Sequence, residues 1–343
     1  MTAASSRRKI PSWLPQVVGY ALSAGCLFWV LHGYPVNELL PNIRSLDWRW
    51  VGLAIVTDLS VYIAHGWRWN TLLSPVARLS FWSTVQSIYI GLFANEVLPL
   101  RVGELIRCYL MAHWNNIRLS LGFASAAVER IIDGFWLLIV FAIAAGFIKH
   151  MPHDLEAARF EQKLTVFVWI VAAVVTLAIA ALGWIVLRKH HMHPAIKESR
   201  WAATVRHVVE GLQLMGNFRT LGLTSAISLV YFVLQVLFVF ALMRAYGFDL
   251  SFWVAAGVLT IVRMSTIVPN APGNLGLVNF AVVFALRLFE VEANDAKTFS
   301  LIFYAVQTFP LLIGGALATA LTGVNISELR DRARHHMNTV HAE

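Results

Sequence analysis

Apolar residues along the chain gather into runs separated by short polar stretches. A helix of about 20 apolar residues crosses a bilayer. Runs of that kind occupy residues 14–33, 50–73, 121–148, 164–187, 221–243 and 299–322. Two further apolar stretches, 81–98 and 252–268, lead into tracts that interrupt a helix. The first reads N-E-V-L-P-L-R-V-G-E-L-I-R from Asn95 to Arg107, and the second reads V-P-N-A-P-G-N-L-G-L-V-N from Val268 to Asn279. Proline removes a helical hydrogen bond, and glycine is conformationally permissive. The segments that follow, 104–114 and 280–289, are too short to span alone. The pattern predicts an all-α, polytopic membrane protein with about six full transmembrane helices plus two re-entrant helical hairpins. A membrane β-barrel would need strict alternation over about ten residues, which the chain lacks.

Loop charge sets the predicted orientation. Arg7, Arg8 and Lys9 precede the first span, and the connector 188–219 holds six basic and two acidic residues. Basic loops stay on the cytoplasmic side. The loop 149–163 balances three basic against three acidic residues, which suits the outside. These loops all fall correctly if 81–98 enters and returns on the cytoplasmic side, with both termini cytoplasmic. Leu98-Pro99-(three residues)-Gly103 then matches Val268-Pro269-(three residues)-Gly273. One unit starts outside and the other inside, which predicts an inverted repeat, the plan of many secondary transporters. The expected organisation is an N-terminal segment 1–12 and a transmembrane domain 13–324, followed by a tail 325–343. The repeats cover about 50–148 and 220–322. In the connector, Trp201, Val205, Val208, Leu212 and Met215 recur at helical spacing, as in a helix lying on a membrane surface.

Charged residues inside spans are costly and usually face an interior site. The first tract carries Asn95, Glu96, Arg101, Glu104 and Arg107 around Pro99 and Gly103. Glu129, Arg130 and Asp133 lie two to three turns inside their span, and Glu129 and Asp133 share one helical face. Asp58 sits mid-span and is read either as a local polar contact or as the partner of an arginine in the first hairpin. Arg263 precedes the second tract, where Pro269, Pro272, Gly273, Gly276 and Asn279 follow. Two helix N-termini at the hairpin tips, with Arg101 and Arg263 nearby, suit an anionic headgroup such as a phosphate. The alternative is a salt-bridge network that only fixes helix packing. Trp48, Trp50, Trp67 and Trp69 flank the second span as an interfacial aromatic belt would.

Composition agrees: 58% of the 343 residues are hydrophobic and 13% charged, against about a quarter charged in soluble domains. The net charge of +8 suits cytoplasmic loops and anionic lipid rather than nucleic acid. Cys26 and Cys108 stand alone, and His190, His191 and His193 lack metal-site spacing. No metal and no cofactor is expected.

Asn95-x-x-Leu98-Pro99-x-Arg101-x-Gly103-Glu104-x-x-Arg107 resembles the signature of the lysylphosphatidylglycerol synthetase transmembrane family, also called flippase-like. Glu129-Arg130-x-x-Asp133 and Pro269-x-x-Pro272-Gly273-x-x-Gly276 resemble its other motifs. The resemblance implies a multi-pass protein of a bacterial or archaeal inner membrane, associated with phospholipid, hopanoid or polyprenyl-glycolipid pathways. Only a short tail follows the last span, so a stand-alone member without the synthase domain is expected. The family often carries a glutamate where this chain has Asn279, which removes a candidate proton or cation carrier.

The leading expectation is a flippase-like transporter of an anionic membrane lipid, not an enzyme. Its arginines would hold the lipid phosphate, and its carboxylates would orient them. A second reading is a non-catalytic scaffold for lipid-biosynthesis enzymes, docking through the connector. A third is a membrane-embedded transferase, disfavoured by the lack of a D-x-D pair, an HxxxH or a nucleophile motif.

Overall fold

The computed structural model describes residues 14–98, 102–148, 215–266 and 271–324, with 169, 173, 176, 177, 180 and 213 as isolated positions. Pro99, Arg101 and Pro269, the loop 149–163, almost all of the fifth run and of the amphipathic connector, and both chain ends lie outside the described residues.

Every regular element among the described residues is helical. In chain order these are α1 Leu14–Leu31, α2 Leu39–Arg44, α3 Trp48–Leu73, α4 Phe81–Val97, α5 Gly103–Asn115, α6 Leu119–Ile148, α7 Phe218–Tyr246, α8 Phe252–Ser265, α9 Leu277–Arg287 and α10 Ala293–Thr322. The order long, short, short, long occurs twice. Helices of 26, 17, 13 and 30 residues make the first unit, and helices of 29, 14, 11 and 30 make the second. At 1.5 Å per residue the 11- to 14-residue helices are only about 17–21 Å long, short of the roughly 30 Å hydrocarbon layer.

Caps fix where these helices begin and end. The Asp47 carboxylate accepts from the Arg49 amide at 3.0 Å at the start of α3. Asn217 does the same for Arg219 at 3.2 Å at the start of α7. At the end of α7, Gly247 adopts φ +92° and the Phe248 amide returns to the Met243 carbonyl at 3.0 Å. Glu292 caps α10 through the amides of Asn294 and Asp295.

The two units interlock. The opening helices α3 and α7 pack along each other, and each unit's short helices pair as a hairpin. The first arm of each hairpin then packs on the closing helix of the other unit, α4 on α10 and α8 on α6. Helix α1 lies against α9. The largest core cluster joins Val236, Val239 and Leu242 of α7 with Val258 of α8, Val282 of α9 and Phe299 of α10.

Within the first hairpin, the backbones of Gly91 and Gly103 touch. A Cβ on Gly103 would lie 1.8 Å from the Gly91 carbonyl oxygen, so only a residue without a side chain allows this approach.

Apolar surface faces outward too. Phe309, Ile313, Leu317 and Leu321 recur every four residues along α10, each more than half exposed. That stripe needs a nonaqueous neighbour. Among the described residues, α7 and α10 are long and apolar enough to cross a membrane by themselves. Of the four tryptophans expected at an interface, Trp48 and Trp67 are exposed. Trp69 is fully buried, and its indole donates to Ser125 at 2.8 Å. Its position three residues beyond Gly66, where α4 approaches closely, turns it inward.

Candidate functional site

Helix α3 contributes one polar face to the interior. Asp58, Tyr62, His65 and Arg68 follow one another at three- and four-residue spacing, and each is less than a tenth exposed. Across from His65 and Arg68 stand Arg107 of α5 and Glu129, Arg130 and Asp133 of α6.

These side chains form a closed ion network. Arg68 donates through Nε to Glu129 at 3.3 Å and reaches Asp133 at hydrogen-bond distance. Arg107 Nε donates to Glu104 at 2.8 Å, and Arg107 Nη2 lies 2.9 Å from Glu129 Oε2. The second contact is an ion pair that misses hydrogen-bond direction. His65 Nε2 sits 3.4 Å from Glu129 and 3.2 Å from Arg107 Nη1. Arg130 pairs with Glu104 and with Asp133, the latter at 3.5 Å. Three arginines meet three carboxylates. The guanidinium of Arg68 also lies 4.7 Å from the Tyr231 ring, and that of Arg107 lies 4.7 Å from the Trp69 ring. Burial at this depth is tolerable because each charge has an opposite charge beside it.

The network separates the expected ligand-binding arginines into two sorts. Arg107 is 2% exposed and wholly engaged with Glu104, Glu129, His65 and Trp69. Its charge is taken up within the network, the arrangement that the salt-bridge alternative describes. The Arg130 side chain is 58% exposed and reaches an interior cavity.

That cavity has a volume of about 430 Å3. It is walled by α3, α4, α7, α8 and α10, with Glu104 and Arg130 at one side and Arg263 at another. Arg263 donates to the side-chain oxygen of Gln235. Among the described residues no carboxylate lies within ion-pair distance of it. Asp58 lines the same space, with the Tyr62 hydroxyl beside it and Arg263 facing it from α8. Arg101, the partner expected from the first hairpin, lies outside the described residues.

The end of α4 and the turn of the second hairpin meet at this cavity. Gly273 adopts φ +68°, and a Cβ there would fall 2.6 Å from the Glu96 carboxylate and 2.8 Å from the Tyr304 hydroxyl. Glu96 closes α4, so the end of one hairpin arm abuts the turn of the other. Each turn is held by an asparagine. The Asn95 side-chain oxygen accepts the Gly103 amide at 2.8 Å. The Asn279 side-chain oxygen accepts the Gly276 amide at 3.2 Å, while its nitrogen donates to the Ser300 carbonyl at 3.0 Å. Asn279 is fully buried and serves as a turn clamp. Pro272 opens the short 3-10 turn of the second tip. Gly276 packs on the α1 backbone, where a Cβ would lie 2.2 Å from the Ser23 carbonyl oxygen. Among the described residues no group of histidine, cysteine and carboxylate side chains is arranged to hold a metal ion.

His65 and Arg68 escaped the sequence reading. The signal was present as the Asp58-Tyr62-His65-Arg68 spacing. It was hidden because Arg68 lies between Trp67 and Trp69, which read as an interfacial belt.

The model of the lysylphosphatidylglycerol synthase transmembrane region matches residues 16–315. The chain belongs to that family. The family's membrane proteins include one from Methanothermobacter thermautotrophicus, named a UPF0104 membrane protein, which is 20% identical over 94% of this chain and 97% of its own length. Another UPF0104 membrane protein, from Methanocaldococcus jannaschii, is 22% identical over 68% of this chain and 96% of its own length. The glycosyltransferase AglD of Haloferax volcanii is 24% identical over 86% of this chain, a match that takes in 54% of AglD. No solved structure matches the chain. Membership in the family and the outward apolar stripe of α10 together make this a membrane protein.

Proposed function

We propose that this family member carries lipids across a cytoplasmic membrane, holding an anionic headgroup in the interior cavity while the acyl chains stay in the bilayer. The observation that carries the reading is Arg263. It is a cation lining the interior cavity, and among the described residues its side chain's bonded partner is the neutral Gln235. A guanidinium in that state suits a phosphate, which offers it planar, charge-assisted hydrogen bonds. Arg130 supplies a second cation at the opposite side. The buried Arg68–Glu129–Arg107 network gives the cavity a rigid wall.

In this reading α3, α6, α7 and α10 cross the membrane with two further spans, and the α4–α5 and α8–α9 hairpins re-enter from opposite sides. The interlocking of each hairpin with the other unit's closing helix is what two repeats related by an axis in the membrane plane would produce. Both chain ends then face the cytoplasm. No covalent bond is made or broken, so the protein is a transporter and not an enzyme. Fluorescent phosphatidylglycerol in proteoliposomes tests this: wild type should make inner-leaflet probe accessible to dithionite, and Arg263→Gln should not. Equal rates for both would defeat the assignment.

The AglD match supports a variant in which the carried lipid bears a sugar. Competition of a polyprenyl-phosphate sugar with the fluorescent probe would favour that cargo.

A further inference from the structure

The ion network uses up its own charges, but one buried acidic group in the cavity stays incomplete. Asp58 is 4% exposed. Among the described residues its Oδ2 atom has no hydrogen-bond partner, although the Tyr62 hydroxyl stands beside the same carboxylate and Arg263 faces it from α8. A buried carboxylate oxygen left without a donor is costly. Such an atom at the edge of a cavity points to a donor that arrives with a ligand.

Two kinds of donor would serve, a hydroxyl or an ammonium. Arg263 already supplies the positive charge opposite Asp58, so what is missing is a hydrogen rather than a cation. The surroundings also hold groups that donate and accept: Tyr62 and Tyr304 carry hydroxyls, and Gln307 an amide. Neighbouring hydroxyl groups on a ligand match such a lining, because each both donates and accepts.

We propose that Asp58 is a specificity residue which receives a hydroxyl of the lipid headgroup, so that the cavity selects polyol phosphates over phosphates without a hydroxyl. This rests on the transport reading only in placing a headgroup in the cavity. The phosphate takes the Arg263 end, and the polyol extends toward Asp58 and Tyr62. Glycerol and sugar headgroups share this chemistry.

The test compares phosphatidylglycerol with phosphatidylmethanol of identical acyl chains, bound to the full chain in nanodiscs and read by native mass spectrometry. The two headgroups carry the same charge and differ in the hydroxyls. Wild type should prefer phosphatidylglycerol by about tenfold, the scale of one hydrogen bond to a charged group. Asp58→Ala should bind both lipids equally. Asp58→Asn, which keeps the side-chain shape, should fold where alanine fails and should retain only part of the preference. Phosphatidylethanolamine and a glycosyl phospholipid complete the set. Stronger retention of phosphatidylethanolamine would assign Asp58 to an ammonium and overturn the hydroxyl assignment. Preference for the glycosyl lipid over phosphatidylglycerol would assign the polyol as a sugar. Equal binding of phosphatidylglycerol and phosphatidylmethanol by wild type overturns the proposal without any variant. A wild type that shows the preference yet moves no lipid would overturn transport and leave this inference standing.

Discussion

Glu129 Oε2 lies 2.9 Å from Arg107 Nη2, and neither residue is more than 2% exposed. The same carboxylate meets Arg68 at 3.3 Å and His65 at 3.4 Å. Glu129 is thus the anion that two buried guanidinium groups share. Removing one member of a buried ion set leaves the others uncompensated, at a cost of about 3–5 kcal/mol. Glu129→Gln should therefore lower the melting temperature in detergent far more than any surface substitution. Glu104→Gln should cost much less, since the Glu104 side chain is 36% exposed and water can replace what it provides. Equal melting shifts for the two would contradict a central role for Glu129.

Several of these relationships were legible in the chain before any coordinates. The four-residue spacing of Glu129 and Asp133 placed them on one face, and both do reach the same Arg68. Pro272, Gly273 and Gly276 marked a break that the structure realises as a short turn. What stayed hidden were partners from distant segments. Nothing local to Arg68 says that it meets a carboxylate 65 positions away. Likewise nothing near Arg107 says that it is sealed off by Trp69 and His65, whereas Arg130, one residue after Glu129, opens onto the cavity. Pairing across the two units depends on packing, and a single helix's periodicity does not encode it.

Gly103 sits where two backbones touch. A methyl group there would fall 1.8 Å from the Gly91 carbonyl oxygen and 2.6 Å from the Asn95 side-chain oxygen. Both neighbours are fixed, one by helix geometry and the other by its bond to the Gly103 amide. Gly103→Ala should push the hairpin arms apart and lose at least the roughly 1–3 kcal/mol typical of overpacking. Gly222, with open space around its Cβ position, should tolerate alanine. Limited proteolysis of the two variants side by side would separate the outcomes, and a hairpin in Gly103→Ala as resistant as wild type would refute the close contact.

Asn95 and Asn279 clamp the two tips in the same way, but with different burdens. Asn95 accepts one backbone amide, so Asn95→Ala should cost about 1 kcal/mol, as loss of a helix cap does. Asn279 bonds in both directions and is fully buried. Asn279→Ala leaves the Gly276 amide and the Ser300 carbonyl without that partner, so its cost should be two to three times larger. Asn279→Glu makes a sharper comparison. It would bring a buried negative charge in place of a donor to Ser300, and should destabilise the protein at neutral pH. Chemical denaturation in mixed micelles reads all three. An Asn279→Glu protein as stable as wild type would mean that the site accommodates a carboxylate.

The orientation of the hairpins has a direct chemical test. If α4 and α5 enter and leave on one side, the ends flanking them, Ser80 and Asn116, share a compartment. If α8 and α9 do the same from the other side, Ser251 and Glu290 share the opposite one. All four positions are exposed at or beside helix ends, so a thiol there is open to reagent. Cysteine substitutions at each, made after replacing Cys26 and Cys108 with alanine, should react with an impermeant maleimide as two matched pairs. Ser80→Cys and Asn116→Cys should label only in inverted vesicles, and Ser251→Cys and Glu290→Cys only in intact cells. If the members of a pair label from opposite sides, that hairpin crosses the membrane, which helices of 17 and 13 or of 14 and 11 residues would achieve only by thinning the bilayer. That outcome would rule out two repeats related by an axis in the membrane plane.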